Sequence, residues 1–311
     1  MIWLIGAGGM SVDYANVLKA QEKEFVVVGR GRASADIFEE KTQHKVLEGG
    51  LNSFLSKSPE LPEAAIVSVG VEQLYITTMQ LLKYGVKELL VEKPGGLSFA
   101  EIDQMKNYAA ENNAQIYIAY NRRFFSSVIK AKELIKRDGG VTSFNFELTE
   151  WSHVIGTLDK KPEVLAKWFL GNSTHVADLA FALGGMPEEI TCFTSGKLTW
   201  HPSSAIFAGA GISKQGALFN YGADWESAGR WSVEVLTNKN RYILRPMETL
   251  QVQKRGTVKC EPVELDNEMD MDFKPGLYLQ VEAFLSNNRD DLCSIEEQSL
   301  MFPVYEKMAG Y

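Results

Sequence analysis

A glycine-rich segment near the N-terminus has the residue types and spacing of a phosphate-binding turn. Residues 2–5 form a short apolar run that ends at Gly6 and continues through Gly8, Gly9 and Met10 into a segment with a mostly apolar helical face. Gly6 allows a tight turn, Gly8 allows a pyrophosphate to approach the backbone, and the amides of a helix start bind anions. Glycines also end strands for plain structural reasons, so it is the position at the first strand-to-helix turn that favours a dinucleotide site.

Two arginines and a serine follow the second apolar run, residues 25–28. Arg30, Arg32 and Ser34 stand where a NAD site normally has an acidic residue for the ribose hydroxyls. Guanidinium groups bind phosphate through charge-assisted, bidentate hydrogen bonds. The segment therefore favours the 2′-phosphate of NADP, with NAD as the alternative cofactor. The competing interpretation is that both arginines are solvated loop residues.

The tripeptide Glu92-Lys93-Pro94 follows a further apolar run. Pro94 removes a backbone donor and stiffens the strand end, whereas Lys93 carries an ammonium group where the cofactor is expected. An ammonium group in that position can hydrogen-bond the hydroxyl or carbonyl that changes oxidation state. Without other context, Glu92 and Lys93 could equally form an ordinary surface ion pair.

A histidine lies within an apolar helical stripe further along the chain. His175 precedes Leu179 by one helical turn, and Asp178 follows it at the i+3 position, where a carboxylate can hold the imidazole and raise its basicity. Catalysis by His175 is one interpretation. A buried core histidine with satisfied hydrogen bonds is the other.

Strands and helices alternate over roughly the first 120 residues. The predicted strands cover residues 2–5, 25–28, 65–69, 88–91 and 115–119, and the predicted helices include 74–83 and 99–111. This alternation predicts a parallel sheet with helices on both faces, in which ligands bind beyond the carboxyl ends of the strands. The residues expected at that rim are Gly6, Arg30, Gly70, Lys93 and Asn121.

The remainder of the chain is richer in strands. Predicted strands cover residues 141–149, 190–195, 205–210, 217–221, 231–236 and 241–244, and predicted helices cover 277–285 and 296–308. Close spacing and Gly, Asn and Pro turn signals between the strands favour an antiparallel sheet.

Composition excludes several classes of protein. The chain has 311 residues, a hydrophobic fraction of 45% and a formal net charge of −8, with no long basic run, so nucleic acid is not an expected partner. Cys192, Cys260 and Cys293 lie far apart without CxxC spacing, so reduced thiols and no metal site are expected. The sequence has no signal-peptide pattern and no apolar stretch of about 18 residues, which predicts a cytoplasmic protein without membrane partners.

The ordered motifs GAGGMS, VEKP and YNRRF resemble those of the glucose-fructose oxidoreductase and inositol dehydrogenase family, Gfo/Idh/MocA. The resemblance implies an α/β fold: an N-terminal Rossmann domain with a doubly wound parallel sheet, residues 1–121, and a C-terminal α+β domain with a large, mostly antiparallel open sheet, residues 122–311. The last predicted helix, residues 296–308, is expected to pack back on the first domain. The resemblance, together with the flat face that an antiparallel sheet can offer to a partner, implies a homodimer or homotetramer.

The resemblance also assigns roles to residues. It maps the family's lysine onto Lys93 and the family's strand-end segment onto Tyr120 and Asn121. The family's Asp-x-x-x-His-x-x-Asp helix corresponds to residues 171–178, in which His175 and Asp178 match but Gly171 replaces the first acidic residue. The proton route is therefore expected to run through Lys93 and His175, the two predicted catalytic residues, where the first domain meets the second.

Two further sets of residues complete the predicted site. Cofactor-binding residues are Gly6, Gly8, Gly9, Met10, Arg30, Arg32, Ser34, Gly70, Glu92, Lys93, Pro94 and Asn121. Substrate-binding residues are Lys93, Tyr120, His153, Asn172, Thr174 and His175.

The predicted function is hydride transfer between a nicotinamide cofactor and a secondary hydroxyl or ketone of a sugar, polyol or nucleotide sugar. Two alternatives stay open: a cofactor-binding sensor or regulator without turnover, and a non-sugar dehydrogenase or reductase on the same fold.

Overall fold

A computed structural model describes residues 1–286 and 288–311. In chain order the strands are β1 (Ile2–Ile5), β2 (Phe25–Val28), β3 (Val46–Leu47), β4 (Ala64–Val67), β5 (Glu88–Glu92), β6 (Gln115–Ala119), β7 (Ser143–Glu147), β8 (Pro187–Ser195), β9 (Ile206–Ser213), β10 (Leu218–Asp224), β11 (Ser232–Leu236), β12 (Asn240–Leu244), β13 (Gln251–Lys254), β14 (Cys260–Pro262) and β15 (Cys293–Ser294). The α-helices are α1 (Gly9–Ala20), α2 (Arg32–Thr42), α3 (Gly50–Leu55), α4 (Leu74–Tyr84), α5 (Phe99–Glu111), α6 (Ser126–Asp138), α7 (Ser152–Ile155), α8 (Pro162–Ala166), α9 (Thr174–Gly184), α10 (Glu268–Asp272), α11 (Leu277–Leu285) and α12 (Ile295–Ala309).

The chain divides into two compact units. The first unit contains residues 1–121 and 269–300, and the second contains residues 122–268 and 301–311. The sequence analysis instead assigned residues 269–300 to the second domain. They belong to the first unit because α11 packs on α1 and because β15 pairs antiparallel with β6, with Cys293 opposite Ile118. The start of α12, as far as Leu300, also lies in the first unit.

The first unit is built on a seven-stranded sheet in the order β15-β6-β5-β4-β1-β2-β3. Apart from β15 its strands are parallel, and β1 and β4 are buried along their whole length, as expected for strands covered by helices on both faces. Ile5 pairs with Val28 on one side and with Val67 on the other. These three strands therefore end level, and the residues that follow them meet at one edge of the sheet.

The second unit is built on an eight-stranded sheet in the order β14-β13-β12-β11-β7-β10-β9-β8. The β7–β10 pair is parallel and the other pairs are antiparallel. Helix α9 covers one face, where the Phe181 ring meets the rings of Phe146 and Phe219 edge-on at centroid distances of 5.6 and 5.3 Å. Exposed and buried residues alternate along the first half of β10. The face of the sheet opposite α9 therefore carries exposed side chains.

Within residues 1–286 and 288–311, no helix is both long and apolar enough to cross a membrane.

Candidate active site

The turn after β1 has a backbone conformation that requires glycine at its first position. Gly6 has a φ of +125°, and a Cβ atom there would lie 2.5 Å from the Ser68 carbonyl oxygen. Ser11, which stands in the place of a third glycine, ties the turn together: its Oγ accepts from the Gly8 amide at 3.2 Å and lies 2.8 Å from the Ser68 Oγ. Gly9 and Met10 form the first turn of α1. The small residues therefore hold the ends of β1 and β4 and the start of α1 close together.

A cleft of about 660 Å³ opens at this edge of the first sheet, within the size range of small-molecule sites. Its lining comes from the ends of β1, β2 and β4 and from α2, α3 and α4. It includes the predicted cofactor residues Gly6, Gly8, Arg30, Ser34 and Gly70. Among the described residues, apart from Gly8 and its two chain neighbours, no heavy atom lies within 4 Å of the position that a Cβ would take on Gly8. The open space at Gly8 is the cradle that a phosphate group needs in order to approach the backbone.

The two arginines predicted to bind the cofactor have different surroundings. Arg30 lines the cleft next to Gly50. Arg32 is exposed and forms ion pairs with Asp36 at 2.8 Å and Glu48 at 2.7 Å. Of the two arginines, Arg30 lines the cleft, whereas the guanidinium of Arg32 is engaged at the surface by two carboxylates.

Ser34 also lines the cleft, and its Oγ donates to the Gly31 carbonyl at 3.0 Å. The hydroxyl oxygen keeps its capacity to accept a hydrogen bond.

Lys93 and Pro94 follow the last residue of β5 and are joined by a cis peptide bond. The turn is closed by the Gly95 amide, which donates to the Glu92 carbonyl at 3.0 Å. Gln298 of α12 is fully buried and donates to the Pro94 carbonyl at 2.8 Å. The backbone that carries Lys93 is thus held from both sides, which restricts where its ammonium group can reach. Gln298 was not predicted from sequence, because nothing local relates it to a strand about 200 residues earlier.

Glu92 has a partner on α1 that sequence analysis missed. The Tyr14 hydroxyl donates to the Glu92 Oε1 at 2.7 Å. Burial raises the pKa of the Glu92 carboxyl, while the Tyr14 hydrogen bond and the positive charges of Lys93 and Lys274 act in the opposite direction. Burial and the neighbouring Glu92 also raise the pKa of Tyr14 well above its usual value. The sequence did carry a signal for this contact: Tyr14 falls on the apolar face of α1, and a buried tyrosine needs a partner for its hydroxyl.

Tyr120 and Asn121, predicted to touch ligands, are packed into the first unit. The Asn121 side chain donates to the Pro275 carbonyl at 2.9 Å, and the Tyr120 hydroxyl accepts from Gln298 at 3.3 Å. In the amide orientation that satisfies both of its ends, the Gln280 side chain has its oxygen 3.2 Å from the Tyr120 amide and 3.1 Å from the Asn121 amide, as an acceptor for both. With only 1% of its surface exposed, Tyr120 supports the end of β6 from the interior.

His175 lies in the second unit, on the first turn of α9, and is buried. Its ring centroid lies 6.2 Å from that of Trp231. Asp178 has a partner that the i+3 spacing did not indicate: Arg123 Nε and Nη2 donate to its two carboxylate oxygens at 2.8 and 2.6 Å. This bidentate pair is buried and anchors α9 to the residues that follow β6.

The residues just before His175 form a π-helical turn, Phe169–Ser173. Although Gly171 itself lacks a carboxylate, the buried carboxylate of Glu150 contacts this turn: its Oε1 accepts from Asn172 Nδ2 and Ser173 Oγ, both at 2.8 Å. Burial raises the pKa of Glu150, opposed by these hydrogen bonds and by the charge of Arg230. The predicted substrate residue Asn172 therefore holds Glu150, a residue that no spacing in the sequence singled out.

Two other predicted substrate residues of the second unit, Thr174 and His153, have different surroundings. Thr174 is fully buried, and its hydroxyl donates to the Leu170 carbonyl at 2.8 Å. The hydroxyl proton is therefore engaged by the backbone of the preceding turn. His153 is exposed on the short helix α7.

Comparison with known proteins bears on the first unit most directly. The model of the Gfo/Idh/MocA oxidoreductase family, described as an NAD-binding Rossmann fold, matches residues 1–120. Residues 1–120 are therefore similar to the NAD-binding Rossmann domain of the Gfo/Idh/MocA family. The resemblance predicted from GAGGMS, VEKP and YNRRF is confirmed, and so is the α/β fold with a Rossmann-type sheet followed by a large, mostly antiparallel one.

Curated relatives match only part of this chain. The chain is 26% identical over 192 residues to 2,7-anhydro-N-acetylneuraminate hydratase of Mediterraneibacter gnavus. The matched region covers 60% of this chain and 50% of that protein. The chain spans about half the length or less of the curated relatives it matches, at 50% and 41%.

Solved structures share the fold along almost the whole chain. UDP-N-acetylglucosamine 3-dehydrogenase of Acidithiobacillus ferrooxidans matches with a TM-score of 0.76 at 16% identity, over 99% of this chain and 95% of that one. Levoglucosan dehydrogenase in complex with NADH and levoglucosan matches with a TM-score of 0.79 at 14% identity, with the same coverage. At such identities the likeness concerns the fold alone.

Proposed function

We propose that the protein is a nicotinamide-dependent oxidoreductase that transfers a hydride between the cofactor and a secondary hydroxyl or ketone of a sugar, polyol or nucleotide sugar. The observation that carries the proposal is the 660 Å³ cleft at the carboxyl edge of the first sheet, with open space beside Gly8 and with Lys93 following a neighbouring strand. The sugar class is supported by the named substrates of the structural neighbours.

The cleft residues would hold the cofactor, with Gly6 and Gly8 at its pyrophosphate and Arg30 and Ser34 at its adenosine ribose. The bound nicotinamide would supply or accept the hydride. Lys93 would hold the proton of the reacting hydroxyl at its Nζ, and the clamped Glu92-to-Gly95 turn would keep that atom in place. His175 is the second group proposed to take part in proton transfer.

The test combines cofactor binding with turnover. NADPH and NADH binding is measured by fluorescence, and sugars, polyols and nucleotide sugars are then screened for a change at the absorbance band of reduced nicotinamide. Hydride transfer with one of these compounds would support the proposal. Cofactor binding without turnover on a broad panel would instead favour a sensor, and a chain that binds neither nucleotide would contradict both functions.

One relative favours a second candidate function. The M. gnavus protein is named as a hydratase, so its printed activity is a hydration. For this chain, the same nucleotide site could then serve a reaction in which the substrate has no net change of oxidation state. Analysis of the products by mass spectrometry separates the two candidates, because water addition changes the substrate mass without consuming the cofactor.

Replacement of Arg30 tests the preference for NADP. We expect Arg30→Ala to weaken NADPH binding by about 10-fold or more, since hydrogen bonds to charged groups contribute about 1.5–3 kcal/mol, and to change NADH binding much less. Arg32→Ala is the matched control, because that arginine is engaged by Asp36 and Glu48. Equal losses of both nucleotides in Arg30→Ala would show that Arg30 does not recognise the 2′-phosphate.

Replacement of His175 tests its role in proton transfer. We expect His175→Ala to lower turnover by about 100-fold, within the usual range for an acid-base group, with little change in melting temperature. His201→Ala is the contrasting variant: His201 is fully buried, and its ring nitrogens contact the Ser204 carbonyl and the Tyr311 hydroxyl at 2.7 Å each, so its loss should mainly lower the melting temperature. A collapsed melting transition in His175→Ala would identify a core histidine instead.

We further propose that the protein is a homodimer or homotetramer. The open face of the second sheet supports this, because Phe193 and Leu218 lie on it with 67% and 63% of their surfaces exposed. Sedimentation equilibrium of the full chain tests the oligomeric state, and a monomer at all concentrations would contradict it.

A further inference from the structure

The glutamate that precedes Lys93 is held by a donor from α1. The Tyr14 hydroxyl lies 2.7 Å from Glu92 Oε1, and the Tyr14 side chain is completely buried. The backbone amide of Lys93 also donates to the Glu92 carboxylate. This carboxylate is therefore fixed both by a helix 78 positions earlier in the chain and by the backbone of the residue that carries the ammonium group.

Tyr14 acts as a neutral donor in this pair. Burial, the charge of Glu92 and that of Asp13 all raise the pKa of Tyr14 well above its usual value, so the hydroxyl keeps its proton through the neutral range. A hydrogen bond donated to a carboxylate favours the ionised form over the protonated one. Tyr14 thus opposes the effect of burial, which raises the pKa of Glu92.

Two positive charges act on the Glu92 carboxylate, and that of Lys93 has the larger effect on its pKa. The other is that of Lys274, which has a carboxylate of its own: its Nζ lies 3.5 Å from Asp13 Oδ2. The attraction between two charges is mutual, so the Glu92 carboxylate stabilises the protonated form of Lys93. An ordinary surface ion pair has two mobile members, whereas here the acid is fixed by a buried tyrosine.

We propose that Tyr14 and Glu92 are positioning residues that set the protonation state of Lys93: Tyr14 keeps Glu92 ionised, and the Glu92 carboxylate is the fixed counter-ion of the Lys93 ammonium group. Neither residue needs to touch substrate or cofactor for this role. Its consequence for turnover rests on the proposed function, whereas the coupling of the charges stands on contacts within the first unit. The competing interpretation is that the pair only fastens α1 to β5.

The test is an NMR titration of the full chain that needs neither substrate nor cofactor. Reductive methylation with isotopically labelled formaldehyde labels the lysines and keeps their charge. The Lys93 signal is the one that is missing from Lys93→Arg. Its titration is expected to show the protonation of Lys93 itself and, at lower pH, a smaller inflection caused by protonation of Glu92.

Glu92→Gln removes the charge of the counter-ion and keeps its shape. We expect the Lys93 signal to titrate about one pH unit lower, because loss of a nearby opposite charge disfavours the ammonium form, and the acid inflection to vanish. Glu88→Gln is the matched control. Glu88 begins the same strand, β5, and pairs with Arg289 at 2.6 Å, so its replacement should leave both inflections in place.

Tyr14→Phe removes the hydroxyl and keeps the ring. We expect the acid inflection to move about one pH unit higher, because Glu92 without this donor takes up its proton at a higher pH. With a substrate from the screen, activity should likewise be lost at a higher pH on acidification. Tyr84→Phe is the matched control, because the Tyr84 hydroxyl donates to a backbone carbonyl, that of Pro59 at 2.6 Å, rather than to a carboxylate.

An unchanged Lys93 titration in Glu92→Gln, or an unchanged acid inflection in a folded Tyr14→Phe variant, would overturn the inference. The purely structural interpretation predicts that result, with similar losses of melting temperature in Tyr14→Phe and Tyr84→Phe. If Tyr14→Phe does not fold, the Glu92→Gln titration decides. Failure of the proposed function has a different signature, namely no NADPH binding and no hydride transfer, and leaves the titration readable.

Discussion

Lys93→Ala is expected to lower turnover by about 100-fold or more, because acid-base groups contribute about 10²- to 10⁴-fold. NADPH affinity should be nearly unchanged, since Lys93 follows β5 and does not line the cleft beside Gly6, Gly8 and Arg30. Steady-state kinetics on the best substrate of the screen, together with fluorescence titration of NADPH, measures the two effects separately.

Lys274→Ala is the matched control for this prediction. Lys274 lies in the first unit, and its charge acts on the pKa of Glu92 in the same direction as that of Lys93. If Lys93 acted only through the electrostatic field at Glu92, both variants would lose similar activity. We expect Lys274→Ala to remain active and Lys93→Arg to stay impaired, because arginine cannot give up its proton. An active Lys93→Ala variant would remove Lys93 from the mechanism.

Gly8→Leu is expected to weaken both NADPH and NADH by about 100-fold, the equivalent of a steric cost of about 3 kcal/mol. The leucine side chain would enter the open space that Gly8 leaves in the cleft. The fold should tolerate it, because Gly8 has an extended backbone with a φ of −91°. Fluorescence titration measures the affinities and a thermal melt measures stability.

Gly6→Ala serves as the comparison for Gly8→Leu, because we expect it to affect stability more than cofactor binding. Its Cβ would meet the Ser68 carbonyl oxygen at 2.5 Å, and its φ of +125° is unfavourable for any side chain, so the melting temperature should fall. Tight cofactor binding by a folded Gly8→Leu variant would show that the cleft is not the nucleotide site.

The local pattern of the chain was sufficient to predict most of the elements near the site. The bounds predicted for β1, β2, β6, α5 and α11 are those observed, because apolar periodicity and the glycine turns act over a few residues. The same reasoning predicted Gly6, Arg30, Gly70, Lys93 and Asn121 at one rim. The level ends of β1, β2 and β4 bring the first three of these residues to the cleft. Short strands such as β3 and β15 were missed, since two residues carry little periodicity.

The sequence by itself thus determined the resemblance of the first domain to the Gfo/Idh/MocA family, the alternating architecture and the strand-end position of Lys93. Only the tertiary structure decided which of two similar arginines faces the cleft, that Gln298 and Tyr14 hold the Lys93 turn, and that residues 269–300 belong to the first unit. It also brought Glu150 and Arg230 together from 80 positions apart. Contacts at such separations depend on how whole elements pack, and no local spacing of residue types encodes them.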